Sequence, residues 1–320
     1  MKQILVNDNQ AGQRLDKLLL KILNKAPKSF IYKMLRKKNI VLNDKKAEGS
    51  EIVQSSDEIK LYLSDETIDK FSLWTDSTIS RYDLDIIYED KNILIINKPA
   101  GVLSQRATIK DFSMVENVIS YMLATKQISN EELQSFKPSI CNRLDRNTSG
   151  LIIAGKTLIG LQEMARLIRE RKLDKYYLCL VRGKVSEVKE ITGYLKKDNK
   201  SNKVTISPKQ TENSDYIVTQ YKPLEYTDEY TLLQVKLITG KSHQIRAHLA
   251  SIGHPILGDS KYGDKGINSY FEKKYGLKSQ LLHSYRYVFP QLLGPLSYLS
   301  DKEFKAPVPE MFTNIKISLF

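Results

Sequence analysis

The sequence is poor in cysteine and has no long apolar run. Cys141 and Cys179 are its only cysteines, which excludes a framework of several disulfides. No apolar stretch approaches the roughly 20 residues of a membrane-spanning helix. The apolar part of the first residues is also too short for a signal peptide. We therefore expect a folded protein in the cytoplasm with no membrane partner.

Acidic side chains are outnumbered as well. The chain has 50 lysines and arginines against 37 aspartates and glutamates, a formal net charge of +13. Such an excess favours a polyanionic partner, most simply a nucleic acid, because phosphate binding releases condensed counterions. The length of 320 residues allows two domains.

The first 63 residues predict a small mixed unit. Apolar spacing predicts a helix over residues 13–23, and Pro27 opens a second helix. Short strands are predicted at residues 40–42 and 59–63. A basic cluster lies on and after the second helix, which is typical either of a solvated face or of a surface that follows phosphates. Its members are Lys28, Lys33, Arg36, Lys37 and Lys38.

A polar turn at residues 141–150 stands between a proline-containing approach and an apolar strand. Asp145 lies between Arg143 and Arg146 in the sequence, and two neighbouring cations favour the ionised carboxylate. By charge pattern alone, Asp145 is either one half of a structural ion pair or a nucleophile.

Three further stretches end strands or begin helices. Residues 97–101 read Asn-Lys-Pro-Ala-Gly after a strand, and residues 175–183 predict a buried strand containing Tyr177. Residues 240–248 lead into a helix and contain two histidines, with a third at His254. The histidine spacing does not fit a metal site. An anion site at the helix start, with Lys241 and Arg246, fits better.

The stretch from Arg143 to Thr157, Arg-Leu-Asp-Arg-Asn-Thr-Ser-Gly-Leu-Ile-Ile-Ala-Gly-Lys-Thr, resembles the signature of the RluA-type pseudouridine synthases. The Lys-x-Tyr-Leu-x-Leu-Val-x-Gly and Gly-Lys-Ser-His-Gln-Ile-Arg-Ala-His motifs resemble the same family. The resemblance implies that Asp145 is the nucleophile, that Arg246 pairs with it, and that Tyr177 packs on the base and is a candidate general base. It implies substrate contacts by Arg143, Thr148, Lys98 and His243. The family usually has histidine where this chain has Asn142.

The N-terminal region resembles the small RNA-binding domain of the ribosomal protein S-four type, and residues 26–37 are similar to the RluC subgroup. The expected fold is α+β. It comprises an S-four-like domain over residues 1–66, a linker over 67–80 and a catalytic domain over 81–320. By the family likeness, that last domain has a mixed, mainly antiparallel sheet with flanking helices.

The resemblance implies an isomerase that converts uridine to pseudouridine in large-subunit ribosomal RNA. This chemistry involves no redox change and no net hydrolysis, so we expect no cofactor and no metal; we also expect a monomer. Two alternatives remain. One is a non-catalytic RNA-binding or ribosome-assembly factor on the same fold. The other is a glycoside hydrolase, which normally needs a second carboxylic acid that is not evident near Asp145.

Overall fold

The structure, a computed structural model, describes residues 1–72, 83–108, 111–198 and 201–320. Within these ranges the backbone forms a small four-stranded sheet, followed by a large mixed sheet that carries the candidate site residues.

The first 72 residues contain both helices predicted from apolar spacing, and the first of them is shorter than residues 13–23. The elements in chain order are β1 (Lys2–Leu5), α1 (Leu15–Ile22), α2 (Lys28–Arg36), β2 (Ile40–Leu42), β3 (Lys45–Lys46), β4 (Glu58–Leu61) and α3 (Asp65–Phe71).

The small sheet is antiparallel throughout, in the order β1-β4-β2-β3. Leu18 and Leu19 of α1 and Leu35 of α2 are buried in one core with Ile40 and Ile59 of the strands. Each fully buried leucine contributes roughly 2 kcal/mol through removal of apolar surface from water. The amphipathic spacing read from the sequence therefore determines which faces of α1 and α2 pack inward.

Ser64 caps the start of helix α3, because its hydroxyl accepts a hydrogen bond from the Thr67 backbone amide. Ile68 joins the core of the small unit, and the Phe71 ring lies 4.4 Å from that of Phe30. Residues 67–71, assigned above to a linker, thus belong to a helix of the small unit. Its two apolar side chains were too few to signal a helix in the sequence. The linker predicted from residue 73 to 80 lies outside the described residues.

The large sheet has eleven strands within the described part of the chain. They are β5 (Ile86–Glu89), β6 (Ile93–Lys98), β7 (Ser139–Ile140), β8 (Ser149–Gly155), β9 (Asp174–Arg182), β10 (Lys189–Asp198), β11 (Lys203–Ser207), β12 (Asp215–Tyr226), β13 (Tyr230–Leu237), β14 (Leu282–Val288) and β15 (Glu303–Lys305).

Nine of these strands follow the order β11-β10-β12-β13-β9-β14-β8-β6-β5, with β7 beside β8 and β15 beside β14. Strands β8 and β14 are parallel, and the other pairs are antiparallel. The predicted mixed, mainly antiparallel sheet is therefore confirmed.

Helices cover both faces of the large sheet. Leu94 of β6 packs with Val118 on one face, and Ile95 packs with Leu167 on the other. No helix in the described part of the chain has the length and apolar character needed to cross a membrane. The helices are α4 (Met114–Ala124), α5 (Glu132–Ser135), α6 (Leu158–Arg169), α7 (Gln244–Ser251), α8 (Lys265–Tyr275), the 3-10 turn Ser297–Leu299 and α9 (Glu310–Leu319).

The fold brings three distant segments together near the middle of this sheet. The polar turn of residues 141–148 joins β7 to β8, and β14 links β8 to β9. Ile245 and Leu249 of α7 pack on Val181 of β9 and Val235 of β13. Side chains from the turn, from β9 and from α7 can therefore meet.

Candidate active site

The loop that carries Asp145 is held by hydrogen bonds to its backbone. The Ser104 hydroxyl donates to the Leu144 carbonyl at 2.7 Å and accepts from the Leu144 amide at 2.9 Å. On the other side, the Thr148 amide donates to the Asp145 carbonyl at 3.0 Å. These bonds satisfy backbone groups that would otherwise lack partners in a turn, and they fix the direction in which the Asp145 side chain leaves the loop.

The backbone conformation at residue 150 explains why the Thr-Ser-Gly motif ends in glycine. Its φ of +108° is in a region that side chains with a Cβ rarely adopt, and a Cβ there would lie 2.1 Å from the Ser284 carbonyl oxygen. Only glycine lets β8 approach β14 this closely at the end of the loop that carries Asp145.

Lys98 supports the same loop from below. Its side chain is fully buried, and its ammonium group donates to the carbonyls of Pro99, Val102 and Arg146 at 2.8–3.0 Å. Burial lowers the pKa of Lys98 to about 7, against the opposing charge of Asp145. The expected substrate contact by Lys98 is thus not supported, because its donors are directed to backbone carbonyls within the protein.

Arg246, on the first turn of α7, binds two carboxylates at once. Its Nε and Nη2 donate to the two oxygens of Asp259 at 2.7 and 2.8 Å, and its Nη1 donates to Oδ2 of Asp145 at 2.7 Å. The side chains of Arg246 and Asp259 are 6% and 0% exposed, whereas that of Asp145 is 24% exposed. The bidentate contact therefore anchors the guanidinium group and leaves Asp145 at the solvent side.

Burial disfavours the charged forms of Arg246 and Asp259, but the pairing of these two groups outweighs that effect. Burial would lower the pKa of Arg246, and the hydrogen bonds and charges of Asp259 and Asp145 raise it above the ordinary value instead. Burial would likewise raise the pKa of Asp259, yet its bonds to Arg246 and to two backbone amides hold it below the usual range. A fixed positive charge consequently lies beside Asp145 at neutral pH.

The two sequence neighbours of Asp145 have other roles. The Arg146 Nε donates to the Gly101 carbonyl at 3.0 Å, and Arg143 is exposed. The paired cation of Asp145 is instead Arg246, 101 positions away in the sequence, as the resemblance implied. In a tight turn, adjacent side chains diverge, so proximity in sequence does not produce the ion pair.

Tyr177 lies on β9 beside Asp145. It is 5% exposed, and burial raises its pKa to about 12, with the charge of Asp145 adding to the shift and the Ser284 and Tyr287 hydroxyls opposing it. Its phenol is therefore neutral at ordinary pH. The structure thus brings together Asp145, Tyr177 and Arg246, as the sequence motifs implied.

His243 precedes α7 in a left-handed conformation, with φ of 55°. Its Nδ1 is hydrogen-bonded to the Tyr262 hydroxyl at 2.9 Å, and burial lowers its pKa despite the opposing charge of Asp145. The start of the helix is fixed by the buried Gln244, whose amide oxygen accepts from the Lys241 amide and whose nitrogen donates to the Val218 carbonyl. The His-Gln-Ile-Arg sequence thereby sets the position of Arg246.

Thr148 and Lys241 do not take the positions expected of them. Thr148 is 2% exposed, and its hydroxyl accepts from Gln280 at 3.2 Å, so no substrate contact follows from its placement. Lys241 forms an exposed ion pair with Asp215. The anions that face Arg246 are two carboxylates of the protein itself, so the predicted anion site at this helix start is not supported.

The three histidines considered for a metal bind different partners. His243 contacts Tyr262, His248 contacts the Thr219 hydroxyl at 3.0 Å, and His254 contacts a backbone carbonyl at 2.9 Å. No group of three or more histidine, cysteine or acidic residues suited to a metal ion occurs in the described ranges.

Comparison with known proteins identifies this arrangement. The family model described as RNA pseudouridylate synthase matches residues 92–251, a range that contains Asp145, Tyr177 and Arg246. The chain belongs to the RNA pseudouridylate synthase family. The resemblance drawn from the sequence motifs is confirmed, and with it the prediction of an isomerase that acts on RNA.

Relatives of this pseudouridine synthase are similar over nearly its whole length. An RNA pseudouridine synthase of Mycoplasma genitalium is 30% identical over 317 residues, which cover 97% of each chain. A ribosomal large subunit pseudouridine synthase C of Vibrio vulnificus is 29% identical over 98% of this chain and 95% of the relative. The solved structure of human RNA pseudouridylate synthase domain containing 4 covers 73% of this chain and 92% of its own, at 22% identity and a TM-score of 0.58. That structural likeness supports the fold.

Sequence reasoning missed several residues that build this site of the pseudouridine synthase. Asp259 and Ser104 carry no local signal, because each acts on a residue far away in the chain. Asp259 could have been suspected from the motif that follows α7, since a buried arginine needs more than one partly exposed carboxylate. The hydroxyl of Tyr287 gave no signal at all, since an aromatic residue in a buried strand is usually a packing residue.

Proposed function

We propose that this pseudouridine synthase isomerises specific uridines of large-subunit ribosomal RNA. The observation that carries the proposal is the paired arrangement of Asp145 and Arg246 beside Tyr177. Relatives named ribosomal large subunit pseudouridine synthase C align over nearly the full length, and the net charge of +13 suits an RNA partner. The proposal includes a role in ribosome biogenesis in the cytoplasm. A monomer suffices, because one chain supplies these three residues.

In this proposal Asp145 acts on the sugar of the target uridine. It either attacks the anomeric carbon, or stabilises the sugar cation and then takes a sugar proton. Both routes require an ionised carboxylate with access to the substrate. Nη1 of Arg246 lies 2.7 Å from Oδ2 of Asp145, and the 24% exposure of Asp145 leaves the carboxylate accessible.

Tyr177 and Arg143 take complementary roles toward the base and the RNA. Tyr177 packs on the detached uracil and is the candidate general base at carbon 5 after the base is rejoined. Because its pKa of about 12 keeps the phenol neutral, it must release its own proton before it takes the one from carbon 5. The exposed Arg143 enters the RNA stack and holds the target nucleotide outside it, a displacement that costs a few kcal/mol. His243, half-buried near Asp145, is a neighbouring contact for the nucleotide.

The small unit supplies affinity in this scheme, as its likeness to the S-four type implies. Lys28, Lys33, Arg36, Lys37 and Lys38 are all exposed on and after α2. Contacts of this kind to phosphates raise affinity and orient the RNA without reading its sequence.

The test of the substrate is direct modification of ribosomal RNA. Purified protein is incubated with transcripts of large- and small-subunit ribosomal RNA, and pseudouridines are mapped at single-nucleotide resolution. We expect pseudouridine at a small number of positions in the large-subunit transcript. Modification confined to small-subunit or transfer RNA would overturn the choice of substrate. RNA binding without any pseudouridine would favour the non-catalytic alternative.

Neutralising part of the basic cluster should weaken RNA binding and its dependence on salt. In the triple variant Lys33→Gln, Arg36→Gln and Lys37→Gln, each lost phosphate contact lowers the slope of log affinity against log salt by about 0.7 to 0.9. We expect the slope to fall by about 2 and turnover at saturating RNA to be retained. Binding is measured by filter retention across a salt series.

The matched control removes the same charge elsewhere. Lys265, Lys273 and Lys278, exposed in and just after α8, are changed to Gln together. An equal loss of slope in both triple variants would show a non-specific effect of net charge, and an unchanged slope in the α2 variant would refute its phosphate role.

A further inference from the structure

A chain of hydroxyl groups runs behind Tyr177. Ser284 of β14 lies opposite Tyr177 in the register of the two strands. The Ser284 hydroxyl donates to the Tyr287 hydroxyl at 3.2 Å, and the Tyr287 hydroxyl donates to the Leu151 carbonyl at 2.6 Å. Ser284 and Tyr287 are both fully buried, so water does not compete for these bonds.

The hydrogen bonds have a defined direction between Ser284 and Leu151. Each hydroxyl has one proton and can accept further bonds. The Tyr287 hydroxyl uses its proton on the Leu151 carbonyl and accepts from the Ser284 hydroxyl, whose proton is thereby used. The same two hydroxyls lower the pKa of Tyr177 against the effect of burial.

Asn142 joins these hydroxyl groups to the loop that carries Asp145. Its amide nitrogen donates to the Tyr287 hydroxyl at 3.0 Å, and its amide oxygen accepts from the Ile153 backbone amide of β8 at 2.8 Å. The Ile153 N–H requires an acceptor, which fixes the orientation of the amide group. Asn142 stands three positions before Asp145, so its side chain connects the loop that carries Asp145 with β8 and with the Tyr287 hydroxyl.

We propose that Asn142 is a positioning residue that holds Tyr177 in its working position relative to Asp145. The proposal rests on the function proposed above, in which Tyr177 assists loss of the proton from carbon 5. A neutral histidine also has one donor and one acceptor, so Asn142→His offers the same two kinds of hydrogen-bonding group.

The proposal predicts a defect in turnover rather than in RNA binding. In Asn142→Leu the Tyr287 and Ile153 bonds are both lost, and misplacement of a reacting group by about 1 Å can reduce a rate about 100-fold. We expect kcat to fall about 10- to 100-fold, with KM changed less than about twofold. Because the carbon 5 step is slowed, the kinetic isotope effect with RNA deuterated at carbon 5 of uridine should exceed that of the wild type.

Three further variants separate positioning from damage to the fold. Asn142→His should restore most of the rate. Tyr287→Phe should reproduce the turnover defect, and the double variant of Asn142→Leu with Tyr287→Phe should lose no more than the more severe single variant, because both act through one chain. The matched control is Asn92→Leu. Asn92 likewise donates to a tyrosine hydroxyl, that of Tyr298, and accepts from a side chain, but it precedes β6 away from Asp145.

The outcomes are distinct from failure of the proposed function. If the wild type forms no pseudouridine in ribosomal RNA, the function fails and this inference with it. If the wild type is active and Asn142→Leu matches it, or if Asn92→Leu shows the same turnover defect, the inference alone is overturned. An isotope effect that stays at the wild-type value despite a lower kcat would also overturn it.

Discussion

Asp145→Asn should abolish pseudouridine formation while the protein stays folded and still binds RNA. The amide keeps the size of the carboxylate and can still accept a hydrogen bond from Nη1 of Arg246. It lacks the negative charge that both proposed routes require at the sugar. We expect the single-turnover rate on a large-subunit ribosomal RNA transcript to fall by about 1,000-fold or more.

The matched control for this change is Asp174→Asn. Asp174 on β9 is also a partly exposed carboxylate, 37% against 24% for Asp145, and it pairs with Lys236 at 2.6 Å. Loss of a surface ion pair changes stability by about 0 to 1 kcal/mol, so this variant should keep its activity. RNA affinity of both variants is measured alongside. A wild-type rate for Asp145→Asn, or equal losses in the two variants, would remove Asp145 from the chemistry.

Much of the fold could be predicted because its signals are local. The spacing of Leu15, Leu18, Leu19 and Ile22 is visible within a single helix, and α1 is found there. The strands around residues 93–96 and 231–237 are apolar or alternating over their own length, and β6 and β13 contain them. Local patterns of this kind depend only on which face is buried.

What could not be predicted depends on contacts between distant segments. The substrate contact expected of Lys98 came from the family resemblance, and burial was not expected, since lysines are rarely fully buried. Its burial is possible because three backbone carbonyls accept hydrogen bonds from its ammonium group. One of them, that of Arg146, is 48 residues away in the loop that carries Asp145. Nothing in the sequence around Lys98 contains that information.

The cation that pairs with Asp145 could not be predicted from local sequence either. Charge pattern alone indicated Arg143 and Arg146, and only family likeness indicated Arg246. The family motif was informative because it reflects a tertiary contact that adjacency does not record. It did not reveal Asp259, which binds the same guanidinium group through two bonds.

Arg246→Met should produce the largest loss of stability among single changes at this site. Asp259 is fully buried, and without Arg246 it loses the guanidinium group that is bonded to both of its oxygens. Removing one partner of a buried ion pair destabilises proteins by about 3–5 kcal/mol, because the other charge remains desolvated. We expect a loss of this size in urea unfolding at pH 7, together with loss of activity.

The dependence on pH has a defined sign. In the wild type the pKa of Asp259 lies below its unfolded value, so its stabilising effect is present above that value and is lost as pH falls through the folded pKa. In Arg246→Met, burial acts on Asp259 without the guanidinium group and raises the pKa of Asp259 above its unfolded value. The buried charge then destabilises the variant at neutral pH, and this loss becomes smaller as the carboxyl is protonated in acid. The stability difference between the two proteins should therefore shrink as pH is lowered.

Two comparisons make this prediction specific. Arg182→Met breaks an exposed pair with Asp264, whose side chains are 53% and 35% exposed, and should change stability by only about 0 to 1 kcal/mol. Adding Asp259→Asn to Arg246→Met removes the unpaired charge while an amide oxygen can still accept from the Lys261 and Tyr262 amides, so it should recover much of the loss. If the double variant is no more stable than Arg246→Met, the buried charge is not the cause. If Arg182→Met loses as much stability as Arg246→Met, the burial of the Arg246–Asp259 pair does not explain the loss. Recovery of stability without recovery of activity would separate the two functions of Arg246, because the double variant folds but lacks the guanidinium group that pairs with Asp145.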